Sequence, residues 1–164
     1  MISPEDWLAA TTKSLIEVAD TYFDMGTMEA ESFYEVDSPK CGAIIGLTSD
    51  HNTVQLMVVA TRRGSEKLGK ALLGFEPDET IETGDLADAI GEIINIVAGM
   101  VKTAVNDQDD TLNLTLPTFV EGTVEPLGGQ VALGTIINIG PVQTKVVVIN
   151  GARQVKHRPR SSAA

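Results

Sequence analysis

Residues 85–105 alternate apolar and polar positions with the period of an α-helix, at roughly 100° per residue. One face of that helix collects the apolar residues Ile90, Ile94, Val97, Val101 and Val105, with Leu86 and Ile93 beside them. The opposite face carries Asp88, Glu92, Asn95 and Gly99. This distribution predicts a helix that packs its apolar face on a core and turns its polar face outward.

The polar face of this helix differs from an ordinary solvated surface. It has no basic residue before Lys102, and it places the carboxylate of Glu92 one turn before the carboxamide of Asn95. Gly91 and Gly99 interrupt the same region, although a glycine costs a helix on the order of 1 kcal/mol relative to alanine. We therefore expect the two glycines to leave the surface bare, so that something large can approach.

The rest of the chain predicts a single α+β domain. A first helix starts at the capping residue Ser3, with Pro4 at its first position, and stops near Gly26. After a polar connection at 27–31, strands are predicted at 32–36, 41–47, 53–60, 112–116, 118–120, 131–139 and 143–149, and a short helix at 65–73. The β-branched run 146–149 indicates a strand that is buried on both faces.

Composition and charge narrow the class of protein. The net charge of −11 repels phosphate backbones and argues against nucleic-acid binding. The single cysteine, Cys41, excludes an intrachain disulfide and favours a reducing compartment. No apolar run approaches the roughly 18 residues of a membrane span, and no export signal is recognisable. We expect a cytoplasmic protein with one domain at 1–152 and a basic, disordered tail at 153–164.

Other chemistry-bearing residues have simpler interpretations. His51 falls in the hairpin loop between two predicted strands and His157 in the tail, so neither is a candidate base or ligand. Asp107, Asp109 and Asp110 resemble a calcium loop only superficially, because the glycine and the distant glutamate of an EF-hand are missing. No metal site is predicted. Cys41 is interpreted as a structural residue.

The outward face of the 85–105 helix carries a resemblance to a known family. Asp88, Glu92 and Asn95 match the spacing of the signature of the CheC/CheX/FliY phosphatases, in which Asp or Ser precedes Glu and Asn. A proline follows in that signature, and Pro117 matches it with one residue fewer in the interval.

The resemblance extends beyond the motif and implies a fold. Residues 42–47 are similar to the early strand of the family, and the similarity covers most of residues 1–150. It implies a CheC-like α+β fold, with a mainly antiparallel mixed sheet of about six strands and about three helices packed on it. Glu17 and Asp20 on the first helix resemble a second copy of the motif, with aspartate where asparagine is required, and this copy is interpreted as inactive. A single working copy resembles the CheX branch, whose members form homodimers.

The resemblance also implies an activity. Such proteins hydrolyse the aspartyl phosphate of a CheY-like receiver domain, in chemotaxis or related two-component signalling. Asn95 would hold the attacking water, and Glu92 would pair with a lysine of the receiver. Asp88, Gly91, Gly99 and Pro117 are expected at the contact with the partner. No cofactor of its own is expected, because the receiver supplies the Mg²⁺.

Two other functions remain open on the sequence. With one intact motif, the chain could be a non-catalytic module that binds a receiver or a component of the flagellar switch. A stand-alone metal enzyme built on Asp88 and Glu92 is the weaker alternative. It lacks histidines on this face, and Asn95 is a poor ligand for transition metals.

Overall fold

The structure is a computed structural model that describes residues 1–23, 27–29 and 40–151, with only the backbone of 27–29. Its helices are α1 (Pro4–Tyr22), α2 (Arg62–Leu73) and α3 (Thr83–Ala104). Its strands are β1 (Thr27–Glu29), β2 (Lys40–Thr48), β3 (Thr53–Thr61), β4 (Asn113–Leu114), β5 (Thr118–Glu121), β6 (Val131–Ile139) and β7 (Val142–Asn150). The predicted strand at 32–36 and the predicted tail at 153–164 lie outside the described residues.

Capping residues set the ends of the helices. Ser3 caps α1, since its Oγ accepts a hydrogen bond from Asp6 N at 3.1 Å. The helix ends at Tyr22, earlier than predicted, because the buried Phe23 is already extended. The start of α2 at Arg62 instead of residue 65 is a second correction. Thr61 caps this helix by accepting from Gly64 N at 3.0 Å, and the next six residues, 62–67, have no large apolar side chain that would indicate a helix.

The described strands form one antiparallel sheet of seven strands in the order β1-β6-β7-β3-β2-β4, with β5 also paired to β2. The predicted α+β class with three helices is therefore confirmed, and β6 has its predicted bounds. The polar connection predicted at 27–31 is wrong in part, since three of its residues form β1. That strand is short enough to carry no periodicity, and it forms by pairing with the edge of β6.

All three helices pack on one face of the sheet. Alternate residues of β2, β3 and β7 meet the apolar faces of the helices in the main core, with Trp7, Leu56 and Ile94 among its fully buried side chains. The other face of the sheet has a smaller cluster of Met57, Val59, Val147 and Ile149. The run 146–149 thus contributes to both clusters, and the prediction of a strand buried on both faces is confirmed.

The pairing of β2 with β3 requires a glycine at position 42. A Cβ added to Gly42 would lie 2.0 Å from the carbonyl oxygen of Val58 and 2.8 Å from the Cα of Val59. Both of these neighbouring atoms belong to the backbone of β3, which cannot move without breaking the strand pair. Any side chain here would therefore displace β2, the strand on which β5 and its preceding loop are placed.

The buried carboxylate of Asp109 joins three separate parts of the chain. It lies just after α3 and accepts hydrogen bonds from Ser49 Oγ at 2.5 Å and Asn52 Nδ2 at 2.6 Å, both in the β2–β3 hairpin. Thr111 adds bonds from its backbone N and its hydroxyl, at 3.1 and 2.7 Å. Asn52 Oδ1 in turn accepts from Ile2 N at 3.2 Å. These donors, with Ser49 first, hold the pKa of Asp109 well below its ordinary value.

Candidate functional site

The exposed face of α3 carries the predicted motif. Leu86, Ile90, Ile94, Val97 and Val101 are buried along the opposite face, whereas Asp88, Glu92 and Asn95 are exposed. The amphipathic pattern of the sequence therefore places the motif as predicted. Because the apolar face is fixed in the core, the helix cannot rotate these three side chains out of register with one another.

The motif side chains are not engaged by the protein itself. Within the described part of the chain, the side chains of Asp88, Glu92 and Asn95 make no hydrogen bond or ion pair with another residue. A carboxylate only accepts hydrogen bonds, while a carboxamide both donates and accepts without titrating. Glu92 and Asn95, one turn apart, can thus offer one acceptor for a cation and one group that orients water.

The two glycines of α3 differ from each other in the structure. A Cβ on Gly99 would have open space around it, so this position leaves room beside Asn95. Gly91 is buried, and its Cβ would lie 3.6 Å from Pro117 Cγ. The expectation that Gly91 leaves bare surface is therefore wrong. The chain's own Pro117 covers it, which a helical pattern could not reveal because the loop arrives from a distant part of the sequence.

Both ends of α3 are tied to neighbouring elements. At its start, Arg62 Nη2 donates to Thr83 Oγ1 at 3.0 Å, and Arg62 Nη1 bonds Glu121 at the end of β5 at 2.5 Å. The same guanidinium pairs with Glu66 on α2 at 3.0 Å. At the other end, Asp109 holds the turn after the helix against the β2–β3 hairpin. The motif is therefore presented on a helix that is fixed along its length.

The second motif-like stripe lies on α1. Lys13, Glu17 and Asp20 are exposed on this helix, which packs against α3. The stripe has no carboxamide, so it lacks one of the two polar groups of the α3 motif. Among the helices of the described residues, α3 alone presents both a carboxylate and a carboxamide at the motif spacing.

One exposed residue near the motif is not indicated by the sequence pattern. Leu116 directly precedes Pro117, and 86% of its surface is exposed. Thr115 N donates a hydrogen bond to the Gly46 carbonyl oxygen of β2, and Thr115 Oγ1 accepts one from Gly46 N, both at 2.9 Å. Pro117 lies against Gly91. Leu116 is thus an apolar side chain held outward between two fixed residues. A lone leucine in a predicted strand gave no signal of this.

The other features considered in the sequence form no functional site among the described residues. Cys41 is buried, burial raises the pKa of its thiol, and its carbonyl accepts from Ser65 Oγ at 2.8 Å. Among residues 1–23, 27–29 and 40–151, no group of three or more His, Cys, Asp or Glu side chains is arranged to hold a metal ion. No helix in those same ranges is long and apolar enough to cross a membrane.

A helix-covered antiparallel sheet with a carboxylate and a carboxamide on its longest helix is the arrangement that the sequence resemblance to CheC-like proteins implies. The family profile described as "Chemotaxis phosphatase CheX" matches residues 41–135. The chain belongs to the CheX family. No curated protein sequence matches the chain.

Solved structures share the fold at low sequence identity. A CheC-like superfamily protein from Shewanella sp. PV-4 is 18% identical, with a TM-score of 0.70 over 90% of this chain and 98% of that one. CheX from Desulfovibrio desulfuricans is 18% identical, with a TM-score of 0.68 over 89% and 99%. A CheX–CheY–BeF3–Mg²⁺ complex from Borrelia burgdorferi contains a chain that is 18% identical, with a TM-score of 0.67 over 92% and 98%.

Proposed function

We propose that this protein hydrolyses the aspartyl phosphate of a CheY-like receiver domain, with Asn95 holding the attacking water. The single observation that carries the proposal is the exposed pair of Glu92 and Asn95, one turn apart and without a partner among the described residues. Membership of the chemotaxis phosphatase family CheX supports the reaction. The Borrelia burgdorferi protein of the same fold forms a complex with CheY, BeF3 and Mg²⁺.

The division of labour follows from the chemistry of phosphoryl transfer. Its transition state is loose, so catalysis consists mainly of positioning and of stabilising charge. The receiver supplies the phosphoryl group, a lysine and Mg²⁺, and it lacks a group that holds water in line with the phosphorus. The Asn95 carboxamide supplies that group, because it accepts from water and donates to it at any pH in the physiological range.

Glu92 has the second role, which is to hold α3 in a fixed position against the receiver. Its carboxylate pairs with the lysine of the receiver, and a charge-assisted hydrogen bond of this kind fixes α3 against the partner. Asp88 lies one turn earlier on the same exposed face and extends the contact. Gly99 leaves space for the partner's backbone beyond Asn95. Pro117 covers Gly91 and so shapes the rim of the contact.

The test is the decay of phosphorylated receivers. A panel of CheY-like receiver domains is phosphorylated with acetyl phosphate, and loss of phosphate is followed with wild type, Asn95→Ala, Glu92→Ala and the matched control Glu17→Ala on α1. Asn95→Ala is expected to lower the rate on the order of 10²–10³-fold, as for loss of one positioned hydrogen-bonding group. Glu17→Ala is expected to leave it unchanged.

A measurement of binding affinity separates a role in catalysis from a role in docking. Titration with a BeF3-activated receiver is expected to show near wild-type affinity for Asn95→Ala and weaker affinity for Glu92→Ala. If wild type binds an activated receiver but accelerates no member of the panel, the protein is a binding module and the catalytic proposal is wrong. Equal decay rates with wild type and Asn95→Ala would refute the role of the carboxamide.

The proposed assembly is a homodimer. In the described part of the sheet, β1 lies at one edge and β4 and β5 lie at the other, and a strand edge offers unpaired backbone groups to a second copy. Light scattering after size exclusion measures the mass directly. A mass equal to one chain across the micromolar range would contradict the proposal.

A further inference from the structure

A cavity of about 270 Å³ lies where β3 passes into α2, away from the motif face of α3. Four basic residues line it, namely Lys40, Arg63, Lys67 and Lys145. No acidic residue is among the described residues that line the cavity. In a chain with a net charge of −11, this local excess of positive charge calls for a ligand or a partner charge.

The fold brings these cations together from three elements. Lys40 begins β2 and pairs with Thr61 at the end of β3, while Lys145 on β7 pairs with Val59 on the other side of β3. Arg63 and Lys67 lie one turn apart at the start of α2. The N-terminal end of that helix adds its own partial positive charge to the same region. The sequence separates the residues widely, so no linear pattern predicts the cluster.

Three of the four cations lack an acidic partner among the described residues. Arg62, the residue before Arg63, pairs with Glu66 and Glu121. Among the described residues, Lys40, Arg63 and Lys67 form no ion pair. Like charges that share one cavity repel each other, and the repulsion is removed when an anion enters. Glu66 and Glu121 are engaged by a different cation, Arg62.

The remaining walls favour an organic ligand over a bare ion. Val59, Ala60, Ile136, Pro141 and Val142 form an apolar surface, and Gln143 adds an amide. Apolar walls with a few charged groups are typical of sites for small molecules, which commonly have volumes of roughly 300–1,000 Å³. At about 270 Å³ the cavity lies just below that range, which limits it to a small ligand. We propose that it binds a small phosphorylated organic molecule of mononucleotide size or less, with the phosphate at the cations.

The experiment uses the full chain and three probes, ADP, pyrophosphate and adenosine, titrated by calorimetry at about 150 mM salt. The cavity variant carries Arg63→Glu and Lys67→Glu. The control carries Lys13→Glu and Lys102→Glu, which changes the net charge equally at positions outside the cavity. Glutamates near the start of α2 suit the helix dipole, so the cavity variant is expected to fold, and circular dichroism checks this.

We expect wild type to bind ADP and the cavity variant to bind it at least about tenfold more weakly, while the control changes by about twofold or less. Binding of pyrophosphate with the same dependence on the cavity variant also supports a phosphate site. Absence of binding by both ADP and pyrophosphate at millimolar concentration would overturn the proposal. Equal weakening in the two variants, or adenosine binding as tightly as ADP, would overturn it as well.

Discussion

Pro117 packs on Gly91, so the loop before β5 contacts the motif helix directly beside Glu92. A Cβ at position 91 would lie 3.6 Å from Pro117 Cγ and 3.8 Å from its Cβ, which is ordinary van der Waals contact. The strand that follows Pro117 pairs with β2, and Arg62 joins its last residue to the start of α3. The motif and the proline of the family signature are thus parts of one packed unit.

This contact predicts a difference between two substitutions of Gly91. An alanine fits at this distance and gains up to about 1 kcal/mol of helix propensity, so Gly91→Ala is expected to be neutral or stabilising. A leucine has atoms well beyond the Cβ and must push Pro117 away, so Gly91→Leu is expected to destabilise by about 1–3 kcal/mol. Urea unfolding measures both. A leucine variant as stable as the alanine variant would show that Pro117 does not pack tightly here.

Gly99 predicts a conflict between stability and partner binding. A Cβ there has open space, so Gly99→Ala is expected to raise the free energy of unfolding by up to about 1 kcal/mol. If the glycine keeps room for a receiver, the same variant binds a BeF3-activated receiver more weakly. Unfolding and binding are measured on the same preparations. Higher stability with unchanged affinity would remove Gly99 from the proposed contact.

The sequence predicts best what depends on local periodicity. The buried stripe of α3 from Leu86 to Val101 follows the helical period, and the long strands follow alternation and β-branching, so their positions are correct within a few residues. The outward position of Glu92 and Asn95 follows from the same helix. These features need no knowledge of the neighbouring elements.

What the sequence does not predict depends on contacts between distant segments. The burial of Gly91 requires the loop that carries Pro117, and the three-residue β1 requires the edge of β6. The basic cavity requires residues from β2, α2 and β7. The structural role of Asp109 cannot be predicted from the sequence, since its hydrogen-bond donors Ser49 and Asn52 lie in the distant β2–β3 hairpin.

Asp109 predicts a loss of stability in acid. Its folded pKa lies below the ordinary value of 3.8, so the ionised carboxylate stabilises the fold above about pH 4 and the stabilisation fades as the pH falls below that value. Asp109→Asn is expected to lower the free energy of unfolding by about 1–3 kcal/mol at pH 7, because Ser49 and Thr111 lose their charged acceptor. The difference in free energy of unfolding between wild type and Asp109→Asn is then expected to shrink as the pH falls below about 4.

Asp110→Asn is the matched control for this titration, because Asp110 is the exposed neighbour in the same turn. It is expected to leave the stability at pH 7 within about 0.5 kcal/mol of wild type. Chemical unfolding at a series of pH values measures all three proteins. A constant difference between wild type and Asp109→Asn down to pH 2 would show that the carboxylate is not the acid-sensitive group.

The exposed side chain of Leu116 is predicted to make an apolar contact with the receiver. Its neighbours are fixed, Thr115 by Gly46 and Pro117 by Gly91, so burying its side chain on a partner costs little further ordering of the loop. Full burial of a leucine side chain contributes about 1.5–3 kcal/mol. Leu116→Ser is therefore expected to raise KM for the phosphorylated receiver about tenfold or more, with kcat near wild type.

Leu127→Ser provides the comparison, since Leu127 is also highly exposed, at 75%, but lies in the loop between β5 and β6. It is expected to leave both KM and kcat unchanged. A fall in kcat alone for Leu116→Ser would indicate disturbed chemistry at Asn95 through Pro117, whereas equal KM values for the two serine variants would exclude Leu116 from the interface. Because the loop is bonded to β2 and packed on α3, a real effect on KM would place the receiver across Leu116, Glu92 and Asn95 together.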